Sequence, residues 1–189
     1  MTRITAVVLV FLLLTGCSLS PAKKSNANFT EFEYTHYTSG GVIETFTAVI
    51  LFEQSVSTFT AYQVAFLSCT CRDPVANYYS VAYVEILNTR HSSDEAAIRT
   101  ITLSNNMGLW GDSNPNYYIP EYTEEYLDEH FVQRLVHVTK AEVDEWKGYG
   151  TWLEPIDPVA VTGATVSTSN ITSMLKSLFA YHAEKYYND

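Results

Sequence analysis

The sequence predicts an α+β fold, in which a small antiparallel sheet is followed by C-terminal helices. Runs rich in β-branched and aromatic residues occupy positions 42–52, 55–67, 78–87 and 97–103. Helical spacing of apolar residues begins only after position 123. Strands and helices in separate blocks indicate α+β order and not the alternation of a doubly wound fold. At 189 residues, 47% of them hydrophobic, one domain is long enough to bury a core.

The four predicted strands are separated by turn signals. Gly40-Gly41 is a turn signal directly before the first strand, and the other three strands follow it along the chain. A segment rich in Gly, Asn and Pro, residues 105–120, follows the fourth strand. A connection of that length is typical of functional or mobile loops.

Three helical segments are predicted after this loop. The first spans residues 126–136, just after Thr123 and two glutamates that favour a helix N-terminus. Thr139 and Glu142 match a capping box, which predicts a short helix through Trp146. The last helix is predicted from about Ser169 to Tyr187, where six side chains follow helical spacing: Ile171, Met174, Leu175, Leu178, Phe179 and His182.

The N-terminal residues have the pattern of a targeting signal. Arg3 precedes an apolar run over residues 6–14, which is shorter than the roughly 20 residues that span a bilayer. Leu14-Thr15-Gly16-Cys17 follows and resembles the lipobox of bacterial lipoproteins. This resemblance implies that residues 1–16 are removed and that Cys17 carries a lipid on the extracytoplasmic face of the cell membrane. An ordinary secretory signal with a nearby cysteine is the alternative.

These observations divide the chain into three parts. Residues 1–16 are predicted to be the signal peptide, residues 17–30 a lipidated tether, and residues 31–189 the domain. The tether is polar and has no apolar periodicity, so a reach on the order of 20 Å is expected.

Net charge excludes one class of function. The chain carries a formal charge of −10, whereas nucleic-acid binding depends on clustered Lys and Arg. The same charge opposes binding to anionic lipid, so a lipid anchor would have to hold the protein at the membrane. The sequence has no nucleophile elbow, Walker loop, Rossmann glycine pattern or HExxH zinc motif.

Thr162-Gly163-Ala164-Thr165 lies directly before the last predicted helix, and Ser167 and Thr168 follow it. A helix N-terminus offers unpaired N–H groups and the positive end of the helix dipole, which favour a phosphate. Gly163 permits positive φ and close approach of the backbone. The hydroxyls of Thr165, Ser167 and Thr168 can donate to phosphate oxygens. These features fit a phosphate site and equally fit an ordinary helix start.

The order of these residues is similar to the flavinylation motif, [S/T]-G-A-[T/S], of the FMN-binding domain family. That family includes flavin subunits of Rnf-type and sodium-pumping NADH:quinone oxidoreductase complexes and related lipoproteins. The resemblance covers Thr162–Ser169 and the helix that follows. It implies a phosphoester between FMN and Thr165, formed by a flavin transferase that uses FAD and Mg²⁺, with Thr162, Gly163, Ala164, Ser167 and Thr168 as further cofactor-binding residues.

The resemblance implies an extracytoplasmic electron carrier that serves a membrane redox complex or quinone reductase, rather than a stand-alone enzyme. The chain departs from the family at Val159, where an Asp usually stands three residues before the motif, and the nearest acid is Asp157. Tyr149 and Trp152 are candidates to pack on the flavin ring, or else fill the core.

Cys69-Thr70-Cys71 is a second candidate site. Two cysteines this close can form a labile disulfide, a thiol redox site or half of a metal site. Two alternatives to a flavin carrier therefore remain open: a lipoprotein that binds another ligand or partner, and a thiol redox protein that uses Cys69 and Cys71.

Overall fold

The computed structural model describes residues 29–70, 78–88, 91–105 and 123–187. The strands are β1 (Thr30–Tyr37), β2 (Ile43–Ser55), β3 (Phe59–Cys69), β4 (Tyr78–Leu87) and β5 (Ile98–Asn105). The α-helices are α1 (Glu124–Leu127), α2 (Lys140–Glu145), α3 (Pro158–Val161) and α4 (Thr165–Tyr186). The strands form one antiparallel sheet in the order β1-β2-β3-β4-β5, which confirms the α+β prediction.

The prediction of four strands is wrong by one, because it misses β1. This strand pairs with β2 along its whole length, from Thr30 opposite Ile50 to Tyr37 opposite Ile43. Thr30, which ends the predicted tether, is therefore the first residue of the sheet. Glutamates and threonines alternate with aromatic residues and His36 in this segment, and that period of two was the available signal.

One face of the sheet is buried and the helices cover it. Alternate residues of the inner strands point toward that face and are almost fully buried: Ala48, Ile50, Tyr62, Val64, Phe66, Ala82, Val84 and Ile86. They form the core with the apolar residues of α4 and of the segment before α2. Across the described residues, no helix is both long enough and apolar enough to span a membrane.

The helix α4 crosses the covered face and reaches both ends of the sheet. Near its start, Asn170 bonds to Tyr37 at the end of β1. Near its end, the Tyr186 hydroxyl donates to Glu53, close to the end of β2. Its 22 residues give a length of about 33 Å at the usual rise per residue.

The segment after Thr123 is less regular than predicted. It is α-helical only over α1, then forms a π-helical turn over Asp128–Val132 and a 3-10 turn over Gln133–Leu135. His137 follows with a φ of 73°, which ends the helical path. By contrast, α2 begins as predicted. Thr139 accepts from the Glu142 backbone N–H, and Glu142 accepts from the Thr139 N–H, so both halves of the capping box are present.

The turn between β1 and β2 depends on two glycines of positive φ, and only one of them is crowded. A Cβ added to Gly41 (φ 79°) would lie 2.9 Å from Cδ1 of Tyr149, whereas one added to Gly40 (φ 88°) would meet open space. We expect Gly40→Ala to lose about 1 kcal/mol of unfolding free energy through backbone strain. Gly41→Ala should lose roughly 1–3 kcal/mol more, because the ring must move. Urea unfolding of both variants tests this, and equal losses would show that the Tyr149 ring shifts without cost.

Candidate functional site

The predicted phosphate-binding motif is split between a turn and a helix. Thr162–Ala164 form a 3-10 turn directly after α3, and Thr165 is the first residue of α4. The helix thus begins about four residues earlier than predicted. Gly163 lies inside a right-handed turn, so its position does not require the positive φ expected of it. Thr162 and Gly163 are exposed, and Thr165 is half-buried.

The threonine hydroxyls of the motif donate to backbone carbonyls. Thr162 Oγ1 donates to Pro158 O at 2.6 Å, and Thr165 Oγ1 donates to Thr162 O at 2.5 Å. Such bonds to the carbonyl three or four residues earlier are typical of Ser and Thr in helices. An ester at Thr165 would give up one of these bonds, at a cost of about 1 kcal/mol.

Ser167 and Thr168 lie within the first two turns of α4 and are 7% and 1% exposed. Thr168 Oγ1 donates to the carbonyls of Ala164 and Thr165, at 3.1 and 3.2 Å. The sequence predicts Ser167 and Thr168 to lie at an open helix terminus. They lie inside the helix instead, because α4 starts at Thr165. The Thr168 hydroxyl therefore bonds within its own helix, and both side chains are buried and not open to a phosphate.

The start of α4 nevertheless suits a negatively charged group. Its N-cap residue, Ala164, makes no side-chain capping bond, and the first turn contains no acidic residue. Asp157 is occupied as the N-cap of α3, where it accepts from the Val159 N–H at 2.9 Å. Val159 itself is 81% exposed. The first turn of α4 itself therefore places no acidic side chain at the positive end of its dipole.

Asn170 fixes the beginning of α4 to the sheet. Its Oδ1 accepts from the Tyr37 N–H at 2.7 Å, and its Nδ2 donates to Tyr37 O at 3.0 Å and to Ser68 O at 2.9 Å. Asn170 is fully buried, so these three bonds have no competition from water. The amide joins the ends of β1 and β3 to the helix that carries Thr165.

These bonds bring the two sequence motifs to the same end of the molecule. Ser68 directly precedes Cys69, the last residue of β3, and Cys69 takes part in a disulfide. Cys71 and Cys17 lie outside the described residues. No local pattern indicates this proximity, because the CxC and TGAT motifs are almost a hundred positions apart.

Aromatic side chains gather at this end as well. The Tyr37 ring packs edge-on against Trp146 at 5.9 Å and at a tilt against Tyr149 at 5.8 Å, measured between ring centroids. Trp152 lines a cleft of about 220 Å³ next to Trp146. Its indole Nε1 is buried and has no hydrogen-bond partner within the described part of the chain. The indole N–H can only donate, so a carbonyl acceptor would satisfy it, but a ligand could reach this buried atom only if the indole turned.

Two buried histidines form polar contacts inside the core. His36 Nε2 and Thr70 Oγ1 share a 3.0 Å hydrogen bond, and His182 Nδ1 shares a 2.8 Å bond with the Tyr62 hydroxyl. Burial lowers the pKa of each histidine to about 4, so both are neutral near pH 7. The helical spacing of His182 indicated its buried face, whereas the missed strand β1 left His36 unnoticed.

A second cleft, of about 480 Å³, lies away from the motif. Seven residues line it: Leu87, Asp94, Glu95, Ala97, His137, Thr139 and Ala141. The Tyr187 hydroxyl, just beyond α4, donates to Leu87 O, which places the cleft near the far end of that helix. Within residues 29–70, 78–88, 91–105 and 123–187, no group of three or more His, Cys, Asp or Glu could hold a metal ion.

Fold and site together define an α+β domain with a five-stranded antiparallel sheet, whose last helix begins at a TGAT turn. Comparison of the chain with models of known protein families, with curated proteins and with solved structures finds no match.

Proposed function

We propose that this chain is a membrane-anchored FMN-binding protein that carries electrons outside the cytoplasm, with FMN joined by a phosphoester to Thr165. The observation that carries the proposal is the position of Thr165. It is the first residue of a 22-residue helix, half-buried, beside an N-cap with no side-chain bond and a first turn without acids. A phosphate attached there would lie at the positive end of the helix dipole.

Each part of the cofactor has residues suited to hold it. Thr165 Oγ1 would be esterified, and the exposed residues Thr162 and Gly163 leave space around the phosphate. Tyr149 and Trp152 are the aromatic residues closest in sequence to the motif and are the candidates to pack on the flavin ring. The flavin, when bound, supplies transfer of one or two electrons, while the protein positions the cofactor and tunes its potential.

The proposal includes partners and an address. A flavin transferase would attach the cofactor, and a membrane redox complex or quinone reductase would exchange electrons with it. Acylation of Cys17 would hold the domain at the extracytoplasmic face of the membrane. A covalent bond suits that location, because an exported protein has no cytosolic pool from which to replace lost FMN.

The decisive measurement is the intact mass of the exported chain from Ser18 onward, co-expressed with a flavin transferase. We expect a gain of one FMN less one water, lost in Thr165→Val and kept in Thr165→Ser, which preserves the hydroxyl. An unmodified and colourless protein would contradict flavin binding and favour a lipoprotein that binds another ligand or partner. An unmodified yellow protein would contradict the phosphoester and leave the carrier role with FMN held non-covalently.

Val159 gives a second test of the same site. It is 81% exposed and follows Pro158 in the first turn of α3, so Val159→Asp should fold normally. If the transferase reads an acid at this position, the flavinylated fraction at limiting transferase should rise several-fold, within the roughly 1–3 kcal/mol of a charge-assisted contact. Val42→Asp, at another exposed valine (61%), is the matched control and should change nothing. An equal fraction in all three proteins would show that no acid is needed.

A thiol redox protein is the second candidate, because Cys69 takes part in a disulfide. This function requires Cys69 and Cys71 to cycle between disulfide and dithiol, with two electrons and two protons taken up on reduction. It predicts that the thiol titre changes with reductant in the unsubstituted chain and in Thr165→Val alike. A titre that does not respond to reductant would exclude it.

A further inference from the structure

Four large apolar side chains are exposed around the place where the chain enters the sheet. We name Phe29, Leu51, Phe52 and Val56 the hairpin patch; they are 53%, 42%, 45% and 41% exposed. Since β1 begins at Thr30 opposite Ile50, the part of β2 beyond Ile50 has no partner in β1. The same register brings Phe29 level with Leu51. The patch therefore joins the first described residue to the free half of β2 and the turn that follows.

A bulge in β2 directs part of the hairpin patch outward. Ile50 pairs with the buried Val64, whereas Phe52 pairs with the exposed Gln63, and the register shifts between them. Facing residues of paired strands share one side of a sheet. Phe52 thus lies on the uncovered side, and core packing does not account for an aromatic residue there.

Glu53 follows Phe52 in β2 but lies on the opposite, covered side of the sheet, since it pairs with the buried Tyr62. Its carboxylate accepts from Lys185 Nζ at 2.8 Å and from the hydroxyls of Tyr181 and Tyr186 at 2.9 and 2.6 Å. These bonds hold the end of β2 that carries the hairpin patch to the last turns of α4.

The short sequence separation between Cys17 and Phe29 favours the lipid bilayer as the surface that covers the hairpin patch. Phe29 follows Cys17 by only twelve positions in the sequence. An anchor at Cys17 would thus hold Phe29 and the rest of the hairpin patch within reach of the bilayer surface.

We propose that the hairpin patch rests on the lipid bilayer and gives the anchored domain a fixed orientation. This inference rests on the lipid anchor of the proposed function. A single acyl chain binds a membrane only weakly, and apolar side chains that enter the lipid–water interface add to its binding free energy. The contact depends on apolar burial, since a chain with a net charge of −10 gains nothing from anionic headgroups.

The orientation fixes the position of Thr165. The far end of α4 contacts Glu53 beside the patch, and Thr165 lies 21 residues earlier in the same helix. At the rise of an α-helix this separation is about 30 Å. A patch held at the bilayer would therefore keep a flavin at Thr165 in a fixed place relative to the membrane, at the other end of α4 from Glu53.

The test uses indole quenching on vesicles and needs neither acylation nor flavin. The chain from Ser18 onward, with an N-terminal polyhistidine tag, is bound to phosphatidylcholine vesicles that contain a nickel-chelating lipid, with or without brominated acyl chains. Phe52→Trp and Val56→Trp place a reporter in the hairpin patch. Val159→Trp is the matched control, since Val159 is exposed and lies next to the opposite end of α4.

We expect the fluorescence added by Phe52→Trp and Val56→Trp to fall roughly twofold in brominated vesicles, as for side chains at interfacial depth. The fluorescence added by Val159→Trp should not change. Absent quenching at both patch positions, or equal quenching at position 159, would overturn the proposal and leave the patch to a protein partner. Because the tag replaces the lipid, failure here leaves the mass result at Thr165 untouched, and failure of flavinylation leaves the quenching result untouched.

Discussion

Replacing Asn170 with Leu is expected to remove roughly 3–6 kcal/mol of unfolding free energy, since each buried polar group left without a partner costs about 1–3 kcal/mol. Leucine has a similar shape but satisfies none of the three groups that the amide bonds, which are Tyr37 N–H, Tyr37 O and Ser68 O. The Asn170 side chain is fully buried and its bond to Ser68 O is buried as well, so water does not readily replace what is lost. A loss of this size is a large part of the total stability of an ordinary domain.

Asn88 provides the matched control. Its Nδ2 lies within hydrogen-bond distance of Ser55 Oγ, Val56 O and Thr60 Oγ1, and its Oδ1 accepts from Thr60, so it makes at least as many contacts as Asn170 but is half-buried. Water can take its place, so Asn88→Leu should lose only about 1 kcal/mol. Urea unfolding of the two variants measures the difference. Equal losses would mean that the strand ends reach water once the Asn170 amide is gone.

Acid is expected to destabilise the fold between pH 6.5 and pH 4 through the two buried histidines. In the folded protein the pKa of His36 and of His182 is about 4, against about 6.5 in an unfolded chain. Above pH 6.5 both states are neutral at these positions and nothing is lost. As the pH falls below 6.5, the unfolded state binds protons that the folded state does not, so unfolding becomes more favourable. Each histidine then costs up to about 3 kcal/mol.

Unfolding at pH 7.5 and at pH 4.5 should therefore differ by about 5 kcal/mol from the histidines, with a further loss from Glu53, whose lowered pKa acts in the same direction. His36→Gln and His182→Gln should each shrink the difference by about 2–3 kcal/mol. His91→Gln, at an exposed histidine, should leave it unchanged. If His36→Gln and His182→Gln keep the full difference, the acid sensitivity comes from carboxylates alone.

The strands with clear apolar patterns could be predicted from the sequence, and the polar edge strand could not. The bounds of β4 match the prediction, Tyr78 to Leu87, because both of its faces are rich in apolar and aromatic residues. In β1, Glu31 and Glu33 face outward and interrupt any continuous apolar run. The alternation of polar and aromatic residues in this strand is therefore easy to overlook. An edge strand tolerates such charges because one of its sides meets water.

At the candidate site, the sequence indicated the motif but not its geometry. The order of residues 162–165 is visible by inspection. The predicted start of α4, near Ser169, is too late because Ser and Thr are favoured as helix caps. In the structure, Thr165 and Thr168 instead donate to carbonyls three residues earlier in the chain. The Asn170 contacts join positions 133 and 102 residues apart, and no local pattern encodes pairs of that separation.

The bond between Tyr37 and Asn170 also sets an order of events in biogenesis. The strand β1 leaves the ribosome among the first residues of the domain, and the helix that holds it emerges last. Contacts between the two ends of a chain form late and slowly, because a large loop must close first. One face of the sheet therefore stays incompletely covered until α4 has been made, and a chain that stops before residue 170 lacks the amide that joins the ends of β1 and β3 to the helix.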